Sequence, residues 1–195
     1  MIAVILCGGE SSRMGSDKGL LTLQSDTWAR TIANQMAAAV PVPVYVSVRP
    51  DQYEFYRADF PESQIISDSY KIKVKGPLKG LLSVHEKFPG EDLLVVACDM
   101  PLMNAATIRI LYEAYLANPD HDAWIFTNDA EPEPLCAIYG AGGLSRIFRL
   151  GRSGSLEKQS MKYVISLLFS HAIPIKPEWL KFFQNFNAPS DLNEL

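Results

Sequence analysis

A glycine-rich segment near the start of the chain carries residue types that bind phosphates. Residues 6–18 read Leu-Cys-Gly-Gly-Glu-Ser-Ser-Arg-Met-Gly-Ser-Asp-Lys, so three glycines stand with Arg13 and Lys18. A glycine backbone can approach an anion closely, and its N–H groups can donate to phosphate oxygens. The two cations can offset negative charge on a leaving group. The segment therefore predicts a nucleoside triphosphate site. The alternative is a flexible loop whose cations are only solvated.

The spacing of this glycine loop (residues 8–18) differs from two common nucleotide-binding motifs. It does not match the Gly-x-x-x-x-Gly-Lys-Ser/Thr pattern of P-loop proteins. It also does not match the Gly-x-Gly-x-x-Gly pattern of dinucleotide-binding domains. Both of those classes are disfavoured.

Asp99 is the candidate metal ligand. It follows the apolar run of residues 93–97, which reads as a buried strand. A carboxylate at the carboxyl end of such a strand faces the ligand crevice of an open α/β sheet. Mg²⁺ prefers one or two carboxylates together with phosphate oxygens and water. The alternative role is a helix N-cap, but Asn104 fills that role better for the next predicted helix.

Two further segments have open interpretations from the residues alone. Asp68 ends a short predicted strand and is equally well a turn residue. Gly76, Pro77 and Gly80 open a predicted helix. They suit backbone contacts to a base or phosphate, but also ordinary loop-to-helix chemistry.

The elements that must position these residues alternate between strand and helix. Strands are predicted at 2–7, 42–48, 64–67, 92–98 and 123–127. Helices are predicted at 27–39, 51–59, 78–88 and 105–116. Repeated β-α units predict a three-layer α/β fold, an open, mostly parallel sheet with helices on both faces.

The rhythm changes after residue 128. An edge strand is predicted at 135–139, because prolines precede it, and a further strand at 172–175. Helical segments are predicted at 144–150, 156–169, 177–183 and 188–195. We expect a single domain over residues 1–195, with 1–128 as its nucleotide-binding part and 129–195 as an elaboration.

Composition excludes several classes of function. The 195 residues carry a formal net charge of −4, which argues against a nucleic-acid-coating surface. No stretch approaches the ~20 apolar residues of a membrane span, and no signal segment is recognisable, so a cytoplasmic location is expected. The three cysteines imply no disulfide framework and are interpreted as buried small hydrophobes rather than thiol nucleophiles. The three histidines are scattered and have no ligand spacing.

Several motifs, in order along the chain, resemble those of the molybdenum cofactor guanylyltransferases, within the wider nucleotidyltransferase group. They are the glycine loop, Ser67-Asp68, Gly76-Pro77-Leu78-x-Gly80, Cys98-Asp99-Met100-Pro101 and Asn185-Phe186-Asn187-Ala188-Pro189-Ser190-Asp191-Leu192. Together they span residues 6–192, nearly the whole chain. Two positions depart from the family pattern: Ser47 stands where an asparagine is common, and Lys79 where a small residue is usual.

The resemblance implies a Rossmann-like nucleotide-diphospho-sugar transferase fold that moves GMP from GTP to the molybdopterin form of the molybdenum cofactor and releases pyrophosphate. It implies Mg²⁺ at Asp99, catalytic roles for Arg13, Lys18 and Asp99, and acceptor contacts at Asn185 and Asn187, so residues 129–195 are expected on the acceptor side. The implied GTP contacts are Leu6, Cys7, Gly8, Gly9, Gly15, Lys18, Asp68, Gly76, Pro77, Gly80 and Asp99.

The implied partners are GTP, molybdenum-loaded molybdopterin, and proteins that deliver the cofactor or chaperone molybdoenzymes. Neither nucleic acid nor a membrane is expected as a partner. Two alternatives differ in function. One is a nucleotidyltransferase with another base or acceptor, such as a cytidylyl or sugar-phosphate enzyme. The other is a non-catalytic nucleotide-binding homologue.

Overall fold

The computed structural model describes residues 1–8, 17–23, 25–186 and 191. Its strands are β1 (Ile2–Leu6), β2 (Thr22–Leu23), β3 (Asp26–Thr27), β4 (Val44–Val48), β5 (Ile65–Ser67), β6 (Leu93–Ala97), β7 (Ala123–Asn128), β8 (Glu131–Tyr139) and β9 (Ser170–Pro174). Its α-helices are α1 (Trp28–Ala39), α2 (Tyr53–Tyr56), α3 (Pro77–Lys87), α4 (Ala105–Ala117), α5 (Ala141–Ser153) and α6 (Met161–Ser166). Short 3₁₀ helices occupy Lys18–Leu20, Glu62–Gln64 and Pro177–Phe183.

A 7-stranded sheet organises the fold, in the order β5-β4-β1-β6-β8-β7-β9. Only β8 runs antiparallel to its neighbours, while the other strand pairs of this sheet are parallel. The prediction of an open, mostly parallel sheet is confirmed. The small β2–β3 hairpin stands outside this sheet and was not predicted.

Helices cover both faces of the sheet, as predicted. One core cluster packs α1 and α4 against the inward side chains of β1, β4 and β6. A second cluster packs α3, α5 and α6 against the opposite face. Strands β1 and β6 are therefore buried along their whole length, which explains why their sequences are continuous apolar runs.

Strands β1 and β6 pair in register, with Leu6 opposite Ala97. The hydrogen bonding continues one residue further, because the Cys98 N–H donates to the Leu6 carbonyl at 3.1 Å. The segments that follow these two strands, the glycine loop and Asp99, therefore start side by side at the carboxyl edge of the sheet.

The prediction of an edge strand at 135–139 is wrong. Strand β8 is longer and internal, between β6 and β7. Its pairing with β6 covers only 136–139, and its pairing with β7 shifts register between Ile125 and Phe126. Pro132 and Pro134 thus lie in the half of the strand that β6 does not pair, where a missing N–H is tolerated.

Two other expectations change near the end of the chain. The helix predicted at 156–169 is reduced to α6, because the Ser160 hydroxyl caps it by accepting the Tyr163 N–H. The terminal helical turn predicted at 188–195 lies outside the described residues, apart from position 191. Within the described ranges, no helix is long and apolar enough to cross a membrane.

Candidate active site

A cleft opens where β1 and β6 end. Its lining residues are Leu6, Cys7, Gly8, Lys18, Gly76, Pro77, Gly80, Ala97, Cys98, Asp99 and Leu135. All predicted site residues of the described chain line this cleft, except Asp68 and Asn185. The predicted residues Gly9, Arg13, Gly15 and Asn187 lie outside the described residues.

Lys18 and Asp99 face each other in the cleft. Lys18 begins the 3₁₀ helix that follows the glycine loop, and Asp99 lies two residues beyond β6. The Lys18 Nζ is 3.4 Å from the Asp99 Oδ2, and the two side chains are 17% and 22% exposed. Residues 81 positions apart in sequence thus form an ion pair at the mouth of the site.

The second oxygen of Asp99 is unsatisfied. Asp99 Oδ1 is buried and accepts no hydrogen bond within the described part of the chain. Helix α4 does not use it, because the Asn104 side chain caps that helix by accepting the Thr107 N–H at 2.9 Å. The prediction that Asn104 caps this helix is confirmed. A buried carboxylate oxygen without a partner is a ready ligand for a cation.

The donor set around Asp99 fits a magnesium ion bound mainly through its substrate. Among the described residues, no group of three or more His, Cys, Asp or Glu side chains is arranged so that it could hold a metal ion. A protein cage for calcium or zinc is therefore not built from them. One carboxylate, with the remaining positions left to phosphate oxygens and water, is the arrangement that Mg²⁺ commonly takes.

Asp68 lies behind two glycines of the cleft. A Cβ placed on Gly8 would be 3.5 Å from Asp68 Oδ2, and one on Gly80 would be 3.6 Å from Asp68 Oδ1. Burial raises the pKa of this carboxyl group to about 6, although Lys79 and Arg49 act to lower it. Its Oδ1 has no hydrogen-bond partner among the residues described. Asp68 therefore borders the cleft with an acceptor still available.

The two glycines at the start of α3 are required for different reasons. Gly76 has a φ of 64°, a backbone conformation that favours glycine. Gly80 packs so closely on β4 that a Cβ there would lie 2.9 Å from the Ser47 Oγ. Ser47 is completely buried, and its hydroxyl has no partner in the described ranges. The serine that departs from the family pattern is thus directly beneath the Gly80 backbone.

The end of the described chain returns to Asp99. The Phe186 N–H donates to the Asp99 main-chain carbonyl at 2.9 Å. The Phe186 ring is buried and packs edge-on against Trp28, with 6.0 Å between ring centroids. Asn185 is therefore next to a residue that is anchored at the metal-site candidate, although it does not line the cleft.

The cysteines are buried, as predicted. Cys7 and Cys98 line the cleft, and Cys136 lies in the core. Contact with the Cys7 thiol and burial hold the pKa of the Cys98 thiol well above its usual range, so it remains protonated. None of the three histidines lines the cleft. The site offers cations and carboxylates rather than a thiolate or imidazole nucleophile.

The sequence patterns missed part of the cleft wall. Ala97 and Cys98 end the same apolar run that precedes Asp99, so their position could have been inferred from that strand. Leu135 could not, because its approach to the cleft depends on β8 being an internal strand beside β6.

Comparison with known proteins places this cleft in a family. The family model described as the MobA-like NTP transferase domain matches residues 3–168. A probable molybdenum cofactor guanylyltransferase from Methanothermobacter thermautotrophicus is 30% identical, covering 96% of this chain and 95% of that protein. A molybdenum cofactor guanylyltransferase from Campylobacter jejuni subsp. doylei is also 30% identical, covering 97% of this chain and 89% of that protein.

A solved structure has the same fold. The crystal structure of molybdopterin-guanine dinucleotide biosynthesis protein A from Archaeoglobus fulgidus aligns with a TM-score of 0.79 at 23% identity. The alignment covers 100% of this chain and 96% of that one. The matched family segment runs from β1 to α6 and contains every residue that lines the cleft. The chain therefore belongs to the MobA-like NTP transferase family.

Proposed function

We propose that this chain transfers GMP from GTP to the molybdopterin form of the molybdenum cofactor, giving the guanine dinucleotide cofactor and pyrophosphate. The observation that carries the proposal is the pairing of Lys18 with Asp99 at the carboxyl ends of adjacent strands. Two curated relatives align with this chain over 95% and 89% of their own length, and they are named as a probable and a molybdenum cofactor guanylyltransferase, respectively.

GTP lies along the cleft in this proposal. Its phosphates contact the backbone after β1 and the Lys18 ammonium, which donates charge-assisted hydrogen bonds. Its base lies between Gly8 and Gly80, beside the unsatisfied Asp68 Oδ1. The amino end of α3, which begins at Pro77, adds its positive dipole to the same region.

The transfer is a displacement at the α-phosphorus of GTP. A terminal phosphate oxygen of the acceptor forms the new bond, the bond from the α-phosphorus to the bridging oxygen breaks, and pyrophosphate leaves. The acceptor phosphate is already anionic near neutral pH, so no strong general base is required. This agrees with the absence of histidine from the lining of the described cleft. Catalysis then depends on positioning and on stabilising charge.

The charged residues divide between the leaving group and the metal ion. Lys18 stabilises the negative charge that develops on the pyrophosphate. Arg13 is assigned the same role by its place in the glycine loop. Asp99 would hold Mg²⁺, since its Oδ1 has no other partner among the described residues. When bound, the ion supplies Lewis-acid neutralisation of the triphosphate.

The acceptor is assigned to the side of the cleft formed by residues 129–195. Two observations support this assignment: Leu135 of β8 lines the cleft, and the Phe186 N–H donates to the Asp99 main-chain carbonyl. Asn185 and Asn187 are assigned to acceptor contacts. We further assign the reaction to the cytoplasm, with cofactor-delivery proteins and molybdoenzyme chaperones as its protein partners.

The proposal is tested by pyrophosphate release with GTP or CTP, Mg²⁺ and molybdenum-loaded molybdopterin. A site that pairs with guanine leaves buried polar groups unpaired when cytosine enters it. We expect kcat/KM for GTP to exceed that for CTP by at least roughly a hundredfold, about 3 kcal/mol. Omitting the acceptor is the control and should abolish release. Equal rates with both nucleotides, or no release with GTP, would contradict the proposal.

A further inference from the structure

One buried side chain connects both ends of the glycine loop. The Gln52 Nε2 donates to the Cys7 carbonyl at 3.1 Å and to the Asp17 Oδ2 at 2.5 Å. Its Oε1 accepts the Arg49 N–H at 2.8 Å, and the residue is only 3% exposed. Gln52 therefore joins the end of β1, the residue before Lys18, and the segment after β4.

A second buried side chain holds the same carboxylate. The Tyr56 hydroxyl donates to Asp17 Oδ1 at 2.9 Å, and the Gly19 N–H donates to that oxygen at 3.0 Å. Tyr56 is completely buried, and burial raises the pKa of its hydroxyl, so it stays protonated as a donor. Both oxygens of Asp17 are thereby engaged, one by Gln52 and one by Tyr56 and Gly19.

The backbone is also closely packed at Gly19, the residue after Lys18. A Cβ on Gly19 would lie 2.1 Å from the Tyr56 hydroxyl oxygen and 3.2 Å from the Cys7 Sγ. The backbone on either side of Lys18 is thus confined, at Asp17 by hydrogen bonds and at Gly19 by close packing. Neither Gln52 nor Tyr56 lines the cleft.

We propose that Gln52 and Tyr56 are positioning residues of the transfer reaction, which clamp Asp17 and thereby hold the Lys18 ammonium beside Asp99. This inference rests on the proposed function. The Lys18 Nζ lies 3.4 Å from the Asp99 Oδ2, and the clamp fixes the backbone that carries the lysine side chain. Catalysis that depends on positioned charge is sensitive to small displacements of such a group.

If Gln52 and Tyr56 contributed only to stability, their substitution would lower the free energy of unfolding and leave the kinetic constants unchanged. The test must therefore measure kinetics as well. The variant Tyr56→Phe removes one hydroxyl and keeps the packing of the ring. The matched control is Tyr115→Phe, because the Tyr115 hydroxyl also donates to an aspartate, Asp92, at 2.8 Å. Tyr115 does not line the cleft at β1 and β6.

We expect Tyr56→Phe to raise KM for GTP and to lower kcat, together on the order of tenfold in kcat/KM. Gln52→Leu should act in the same direction. Tyr115→Phe should leave both kinetic constants within about twofold of wild type. Thermal unfolding of all variants, measured in parallel, shows how much stability each one loses.

Coupling to Lys18 gives the decisive result. Because the clamp acts through Lys18, Tyr56→Phe should have little further effect on kcat/KM in a Lys18→Ala background. Full additivity of the two substitutions would overturn the proposal. So would a Tyr56→Phe variant whose kinetics and GTP affinity equal those of Tyr115→Phe.

The same variants separate this proposal from the proposed function. The dissociation constant for GTP, measured by calorimetry, reports on the clamp without any acceptor. If the wild type binds GTP but transfers no GMP, the proposed function fails, and weaker GTP binding by Tyr56→Phe still supports the clamp. Unchanged GTP binding together with unchanged kcat in Tyr56→Phe, in a wild type that transfers GMP, overturns the clamp alone.

Discussion

An aspartate lies beyond each end of β6, and the two differ in how many of their carboxylate oxygens have a partner. Asp92 precedes the strand, and both of its oxygens are used: Oδ1 accepts the Ala141 N–H and Oδ2 accepts the Tyr115 hydroxyl, each at 2.8 Å. Asp99 follows the strand and pairs with Lys18 through one oxygen only. Its other oxygen is buried without a partner in the described chain. The fold satisfies both carboxylate oxygens of Asp92, whereas one oxygen of Asp99 is available to a ligand.

The difference extends to the clefts at the two edges of the sheet. The cleft at the Asp92 edge also contains Asp122, which accepts hydrogen bonds from both terminal nitrogens of Arg146 and from the Phe169 N–H. The carboxyl edge instead collects three buried polar atoms that have no partner among the described residues. They are Ser47 Oγ, Asp68 Oδ1 and Asp99 Oδ1. Two further such atoms among the described residues are Trp28 Nε1 and His85 Nδ1. Unsatisfied buried polar atoms are costly, so the three at the carboxyl edge favour a ligand there.

The largest expected effect comes from Asp99→Asn. The amide keeps the size of the side chain but removes the charge that, in the proposed function, holds the metal. Turnover should fall by at least roughly a hundredfold, about 3 kcal/mol of barrier, with little change in Tm. Steady-state kinetics at limiting Mg²⁺ measure it. Near-normal turnover would reject Asp99 as the ligand.

Removal of the opposing cation should have the next largest effect. In Lys18→Ala a charge-assisted phosphate contact is lost, about 2 kcal/mol, so GTP binding weakens and transfer slows. Lys87→Ala, an exposed lysine in the last turn of α3, is the matched control. Calorimetric titration with GTP compares the two. Equal affinities would mean that Lys18 does not contact the phosphates.

At the other end of β6, Asp92→Asn should have the reverse profile. The amide can replace only one of the two acceptors, so a Tyr115 or Ala141 donor loses its partner. The free energy of unfolding should fall by roughly 1–2 kcal/mol, whereas kcat and KM stay unchanged. Urea unfolding and kinetics on the same preparation test this. A loss of activity comparable to that of Asp99→Asn would remove the distinction between the two ends.

The smallest effect concerns Asp68 and pH. Its pKa is raised to about 6 in the folded protein, so the folded state holds the proton more tightly than the unfolded chain. The stability it contributes is present below the ordinary carboxyl pKa and is lost as the pH rises through 6. Asp68→Asn should therefore stabilise the protein above pH 6 and not below pH 4 or so. The gain is less than ~1 kcal/mol, because the buried amide also lacks partners.

Thermal unfolding of Asp68→Asn and wild type across pH 4–8 tests this sign. GTP affinity above pH 6 should fall in the same variant, since the acceptor beside Gly8 and Gly80 has changed. A stability difference that does not vary with pH would show that Asp68 does not titrate in this range.

Sequence patterns predict the candidate site well where its charged residues come after the end of a strand. The positions of Lys18 and Asp99 were predictable, because parallel strands deliver their following residues to one edge. The internal position of β8 was not predictable, because Pro132 and Pro134 indicate an edge strand. Only the structure shows that β6 pairs with residues 136–139 of β8 and not with the half that contains these prolines. Gln52 and Tyr56 were also missed, because they meet Asp17 across 35 and 39 positions and no spacing rule relates them.

The most direct measurement of guanylyl transfer traces labelled phosphorus from GTP into the products. The enzyme is incubated with molybdenum-loaded molybdopterin, Mg²⁺ and GTP labelled at either the α- or the γ-phosphorus. If the carboxyl edge of the sheet transfers GMP, the α-label enters the dinucleotide product, the γ-label leaves as pyrophosphate, and both are lost in Asp99→Asn but retained in Asp92→Asn. Appearance of the γ-label on the acceptor, or of GDP with inorganic phosphate, would contradict guanylyl transfer at this site.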